Sequence, residues 1–140
     1  MDGMSTLHRI QPLSHQQCVE RLTSVDLGRV VFTDRALPAI LPVTFCVDDD
    51  SVVIRTARGS RLARAAEGAV LAFEVDDVQV GRCSGWSVVV TGEARIESDP
   101  VQRARLDAML RAWVPGIKDT FIRIPLSVVT GRVVDGVPAA

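Results

Sequence analysis

Between Ser14 and Val25 apolar residues recur at helical spacing: Cys18, Val19, Leu22 and Val25. That period predicts an amphipathic helix with one face on a core. Ser14 precedes the stripe and Gln17 stands three residues on, the capping-box arrangement that satisfies free N–H groups at a helix start. Asp26-Leu27-Gly28 ends it. Beyond Gly28 the period changes to short valine-rich runs bounded by turn residues, which predict strands. Six are expected: Arg29–Thr33, Ala39–Val47, Ser51–Thr56, Ala69–Val75, Ser87–Glu97 and Ile122–Val134. The "VDDDS" run at 47–51 reads as a solvated hairpin turn, because the glycine and glutamate of a calcium loop are missing at their places.

Two helices interrupt the strands. One is short, Ser60–Ala66; the other is Pro100–Trp113, with Ser98 or Asp99 as cap and Pro100 at the first helical position. Leu106, Met109, Leu110 and Trp113 form its apolar stripe, which reads as core packing. A mainly β fold with peripheral α-helices follows, and six strands suit a small closed sheet, since closure removes exposed edges. Residues 1–12 read as an N-terminal arm and 13–140 as one domain.

Composition narrows the chemistry. With 140 residues the chain has room for a single core. No apolar run approaches the roughly 20 residues that span a membrane, and "MDGMSTLHRI" lacks the pattern of a signal peptide, so a cytoplasmic protein without a membrane partner is expected. A net charge of −1 gives no global field for nucleic acid, and none is expected as partner. Fifteen of the sixteen basic residues are arginine, with Lys118 the only lysine, so an individual arginine says little by its type. Cys18, Cys46 and Cys83 form no CxxC pair and read as buried thiols, with no metal site. Two histidines, His8 and His15, cannot make a three-histidine zinc site. Both lie near the N-terminus, a poor place for the histidine that must sit rigidly beside a nucleophile. Neither GxGxxG after a strand nor a P-loop is present.

One stretch carries candidate chemistry, "IRTARGSRLARAA" at 54–66. A phosphate wants hydroxyls, N–H donors and a guanidinium fork converging where a helix begins. Thr56 offers a hydroxyl, Gly59 a tight turn, Ser60 a cap with its N–H outward, and Arg61 the fork. A strand–turn–helix connection with a basic, capped helix fits the same residues. In "SGWSVVVTGEARI" at 84–96, Trp86 opens a strand, which by itself reads as core.

In order along the chain, "GRVVF" (28–32), "PAILPVTF" (38–45), "SVVIRTARGSRLARAA" (51–66), "LAFEVDDV" (71–78), "GWSVVVTGEA" (85–94) and "VTGR" (129–132) resemble the flavin-binding split-barrel proteins related to pyridoxamine 5′-phosphate oxidase, in their short single-domain actinobacterial form. The resemblance implies a six-stranded antiparallel split barrel forming a homodimer, with a flavin in each groove between subunits. FMN is the implied cofactor, with the deazaflavin F420 as the alternative. Haem is disfavoured, because only His8, His15 or a thiolate could ligate it. Thr56, Ser60 and Arg61 match residues that hold the flavin phosphate, and Leu62 stands where the oxidases place a lysine. Pro42, Val43, Thr44, Ile54 and Arg55 would lie along the flavin ring with their main chain toward it, and Trp86, Ser87 and Val88 would approach from the facing subunit. The C-terminal substrate segment of the longer oxidases has no counterpart, so vitamin B6 is not the implied substrate. The implied activity is a flavin-dependent oxidoreductase acting on a small organic molecule, without identifiable catalytic residues; the alternative is a protein that holds flavin, F420 or haem without turnover.

Overall fold

The computed structural model describes residues 8–111, 116 and 119–136. Among the described residues nine strands form one antiparallel sheet, with three α-helices around it. Strand β1 (His8–Pro12) leads into α1 (His15–Leu22), where Ser14 and Gln17 close the capping box at 3.1 and 2.8 Å. Cys18 and Leu22 are its fully buried positions, as the apolar spacing predicts. β2 (Leu27–Asp34) and β3 (Leu37–Asp48) make a hairpin whose two turn residues, Arg35 and Ala36, both have positive φ. β4 (Ser51–Thr56) follows across the Asp49–Asp50 turn, then α2 (Arg61–Ala66). β5 (Val70–Gln79) and β6 (Ser84–Glu93) pair along their whole length, so this hairpin runs past the predicted strand ends at Val75 and Ser87. β7 (Arg95–Ile96), α3 (Pro100–Met109), β8 (Thr120–Pro125) and β9 (Val128–Gly136) complete the chain. Asp99, not Ser98, caps α3.

The ladder runs β1-β9-β6-β5-β2-β3-β4-β8-β7. Six strands in a closed sheet were expected, and two of those six split. Ile122–Val134 breaks after Pro125, and its halves go to distant places: β8 beside β4, β9 beside β6. Ser87–Glu97 breaks at Ala94, whose N–H and carbonyl turn to Ala69 and Gly68, and β7 leaves to pair with β8. Residues 8–12, read as arm, hydrogen-bond to β9 as β1. The backbone ladder is open, ending at β1 and β7, yet the sheet curls until β6 meets β8. A methyl on Gly92 would lie 2.9 Å from the Pro125 carbonyl oxygen, so only glycine permits that approach.

Inside the curl lies the main core, including Val30, Phe32, Phe73, Val88, Ile54 and Ile122, with the Phe45 and Phe73 rings edge to face at 4.7 Å. A smaller core seats α3 on the outer face of β4 and β8 through Val53, Leu106, Leu110 and Phe121. Met109, expected in that stripe, is exposed, and Trp113 lies outside the described residues. Beside this small core is a buried ionic network. Asp48 accepts two bonds from Arg105 at 2.8 Å and one from Arg123 at 2.9 Å; Arg123 also reaches Glu97 at 2.7 Å and Ser51 at 3.0 Å. Asp48, read as part of a solvated turn, is only 7% exposed, and its hydrogen bonds from Arg105 hold its carboxyl down to about 2. A buried carboxylate persists only with such partners.

Candidate functional site

β3 belongs to two ladders. Through Thr44 it pairs with β2, and from Phe45 onward with β4. Arg55 and Thr56 continue past that junction, paired with Phe121 and Thr120 of β8 but with no strand on their other side among the described residues. A split therefore opens between Pro42–Thr44, paired on their other side with β2, and Arg55–Thr56, paired on theirs with β8, and no strand pairing bridges it among the described residues. Val43 and Ile54 point into the core, so at the split they offer backbone only. Across the outside lies the end of α3: the Thr44 hydroxyl donates to the Arg111 carbonyl at 2.7 Å, and the Arg55 guanidinium reaches the Leu110 carbonyl and Asp107. Arg55 also stacks on Phe121 at 4.8 Å.

At the far end of β4 the chain turns through Gly59, whose φ of +72° suits glycine, into α2. The Thr56 and Ser60 hydroxyl oxygens are 2.9 Å apart, and the Ser60 oxygen also accepts the Ala63 N–H. Two hydroxyls carry two protons and one is spent between them, which leaves one to donate outward. The expected outward Ser60 N–H is not there, since it closes the turn on the Ala57 carbonyl at 3.1 Å.

The four arginines of this stretch have four different environments. Arg55 lies under α3, Arg58 is bound to Asp119 by backbone and side chain, and Arg64 folds back on the Gly59 carbonyl. Arg61 is 59% exposed, with its Nε 3.6 Å from Asp34 at the tip of the β2–β3 hairpin. Arg61 follows Ser60 directly as the first residue of α2, and its side chain is more than half exposed. Leu62 is 1% exposed in the core, so its side chain takes no part in the cradle. The remaining set is a spare hydroxyl proton and an exposed guanidinium, the donor types that bind anions.

Trp86, Ser87 and Val88 are not brought to this place within the chain. They lie on β6, and β5, β2 and β3 stand between β6 and β4. Val88 is core and Trp86 packs against the core margin, with the Arg21 guanidinium 5.4 Å from its ring centroid. Trp86 and Ser87 instead line a cavity of about 200 Å³ at the protruding β5–β6 hairpin. His8 and His15 sit in β1 and at the start of α1. Cys18 is buried, Cys46 half-buried and Cys83 exposed, so the expectation of buried thiols fails at Cys83.

Sequence reasoning missed the carboxylates. Asp34 and Asp119 hold Arg61 and Arg58 across the fold, and Arg29 of β2 lies 3.4 and 3.3 Å from Glu74 and Asp76 of β5. Burial, then the adjacent Asp76 carboxyl, push Glu74 up to about 7, against the pull of Arg29. No local spacing signals these pairs. The β5 alternation that puts Glu74 and Asp76 on one outward face was the sole hint.

Fold and site thus define a small, curled antiparallel β protein with a hydroxyl pair and an exposed arginine beside a split in its sheet. The chain belongs to the pyridoxamine 5′-phosphate oxidase family, whose model matches residues 14–133. It is 44% identical to the uncharacterized protein Rv0080 of Mycobacterium tuberculosis over 124 residues, 85% of this chain and 82% of that one. Among solved structures it is similar to the FAD binding protein from Mycobacterium smegmatis: 34% identity, TM-score 0.74, 88% of this chain and 97% of that one. A Corynebacterium glutamicum structure is 36% identical with a TM-score of 0.77, over 99% of this chain and 100% of that one. Among the described residues no helix is long and apolar enough to cross a membrane.

Proposed function

We propose that the chain is a flavin-dependent oxidoreductase working as a homodimer. The observation that carries this reading is the Thr56–Ser60 hydroxyl pair beside the exposed Arg61, in a chain similar to an FAD binding protein. Thr56, Ser60 and Arg61 would hold the cofactor phosphate. The main-chain edges of Pro42–Thr44 and Arg55–Thr56 that face the split would meet the polar edge of the ring. When bound, the flavin supplies a two-electron exchange with a small organic substrate, and the protein supplies anchoring, orientation and a partly dry groove.

Two copies complete the groove in this reading, because Trp86–Val88 of one chain stand apart from its own β4. The exposed Leu27, Leu37 and Ile40 on the β2–β3 hairpin favour a covered face. A solution mass of twice 15.2 kDa is expected, and a monomer that still binds flavin would refute the shared site. FMN is the expected flavin. The M. smegmatis relative favours a second reading, FAD, and chromatography of the flavin released from purified protein separates the two and F420.

The test of the cradle is Arg61→Ala. Loss of one charged hydrogen bond, about 1.5–3 kcal/mol, weakens FMN roughly ten- to hundredfold. Riboflavin, without the phosphate, should be nearly indifferent, and Arg58→Ala should be mild because Asp119 already holds Arg58. Equal losses for Arg58→Ala and Arg61→Ala would show that no phosphate sits there. Stopped-flow reduction by a nicotinamide or by reduced F420 then separates an enzyme from a carrier.

A further inference from the structure

α3 covers the outer face of β4 and β8. Among the described residues no helix covers the outer face that β1, β9, β6, β5, β2 and β3 share. Six of the ten large apolar side chains left exposed among those residues stand on it: Ile10, Leu27, Ile40, Val70, Val78 and Val128. Six strands about 4.8 Å apart and about eight residues long, at about 3.3 Å each, give a projected area of roughly 750 Å². Each partner of a stable interface buries about 800 Å². Arg29, Glu74 and Asp76 lie near the middle of this face, on β2 and β5. One nitrogen of Arg29 serves both carboxylates, at 3.4 and 3.3 Å, so the trio carries a charge of −1 when both are ionised. β6 sets only Ser87 and Val89 beside them, and β3 only Pro42; the next charge along the ladder is Arg132 of β9, beyond Ser87.

We propose that a second copy of the chain covers this face, and that each chain takes up one proton at the Glu74–Asp76 pair as the dimer forms. A two-fold contact centred on the face sets β5 near its own copy, so two clusters of charge −1 would be buried close together. Burying a carboxylate without a counter-charge is costly. A proton on Glu74, donated in a hydrogen bond to the Asp76 carboxylate, leaves Arg29 balanced by a single charge. The trio is then neutral, which suits an apolar surface like itself and not a polyanion. In the single chain, burial and then Asp76 already lift Glu74 to about 7, and further burial acts in the same direction.

Proton uptake presupposes the homodimer proposed above, and sedimentation velocity over a dilution series tests the two apart. With one proton per chain and two per dimer, the dimer should weaken roughly 100-fold between pH 6 and pH 8. Glu74→Gln, neutral at every pH, should keep the strong association of pH 6 throughout. Ile40→Arg, at a position 59% exposed where folding is not at risk, should be monomeric at pH 6. Val101→Arg, on the exposed side of α3 away from this face, should dimerise as wild type does. A dimer constant that is flat or tightens as pH rises, the same pH dependence in Glu74→Gln, or an unaltered dimer in Ile40→Arg would each overturn the proposal. Those results leave the shared flavin groove standing. A wild-type monomer at pH 6 would bring down both, while flavin absorbance in the same runs reads cofactor binding separately.

Discussion

Replacing Asp48 with Asn tests whether the buried network at the end of β3 works as the geometry says. Asp48 takes three charged hydrogen bonds, two from Arg105 and one from Arg123. Asparagine keeps the shape and removes the charge. Arg123, 4% exposed, would keep Glu97 and Ser51 but lose half of its counter-charge. Breaking a buried pair in this way costs about 3–5 kcal/mol at the upper end, and the surviving Glu97 partner argues for about 2–3. The pH dependence gives a second handle on the same quantity. Asp48 falls from an ordinary value near 3.9 to about 2 in the fold, chiefly through the Arg105 hydrogen bonds. Its folded value is depressed, so its stabilisation is fully present above about pH 4 and is lost as pH falls through 2. Roughly two units correspond to about 2.5 kcal/mol. Urea unfolding of wild type and Asp48→Asn at pH 7, 4 and 2.5 should show a gap of that size at pH 7, much of it closed at pH 2.5. Other carboxylates titrate in both proteins, so the difference isolates Asp48. A gap below about 0.5 kcal/mol at pH 7, or one that does not narrow with acid, would refute the argument.

Glu74→Gln should act in the opposite pH direction. The folded state holds the Glu74 proton up to about pH 7, so that stabilisation is present below its ordinary value near 4.3 and is lost as pH rises through 7. The Tm of the variant relative to wild type should therefore climb between pH 5 and 8, and a constant difference would count against it. Leu62→Lys, which the family comparison in sequence suggests as a way to strengthen phosphate binding, should instead destabilise by about 3 kcal/mol or more, because the site is core; a thermal melt matching wild type would contradict the burial. Ala36→Gly relieves a φ of +67° in the two-residue β2–β3 turn and should stabilise by about 0.5–1 kcal/mol, read as a rise in urea midpoint at unchanged slope.

Local physics was legible in the sequence. Ser14 with Gln17, Asp99 with Pro100, and Ser60 before α2 announce helix starts through neighbours within one turn, and all three caps form. The strand cores announce themselves through valine. What failed was everything that depends on where a strand goes next. Ile122–Val134 reads as one apolar run, and nothing local says that its halves lie at opposite flanks of the sheet. β1 has too little apolar content to be recognised without β9 to pair with. In the candidate site, Thr56, Ser60 and Arg61 follow from spacing, because a strand end and a helix cap lie close along the chain. Burial of Leu62 follows only from the packing of α2 on the core. The carboxylate partners of Arg61, Arg58 and Arg105 come from elsewhere in the sequence, where charge type alone carries no address.

The change of partner in the middle of β3 has a mechanical consequence. One continuous backbone carries the β2 ladder through Thr44 and the β4 ladder from Phe45, so the two flanks of the split cannot slide past each other without tearing one of them. Width must change by bending at the Thr44–Phe45 link, which reduces opening to a single angle. A wedge pressed into the split is then levered to both extremities of β3, the Asp34–Leu37 hairpin at one and the Asp49–Asp50 turn at the other. Amide exchange at these two tips should quicken or slow together when the split is filled. Independent responses would mean that the strand is not the lever.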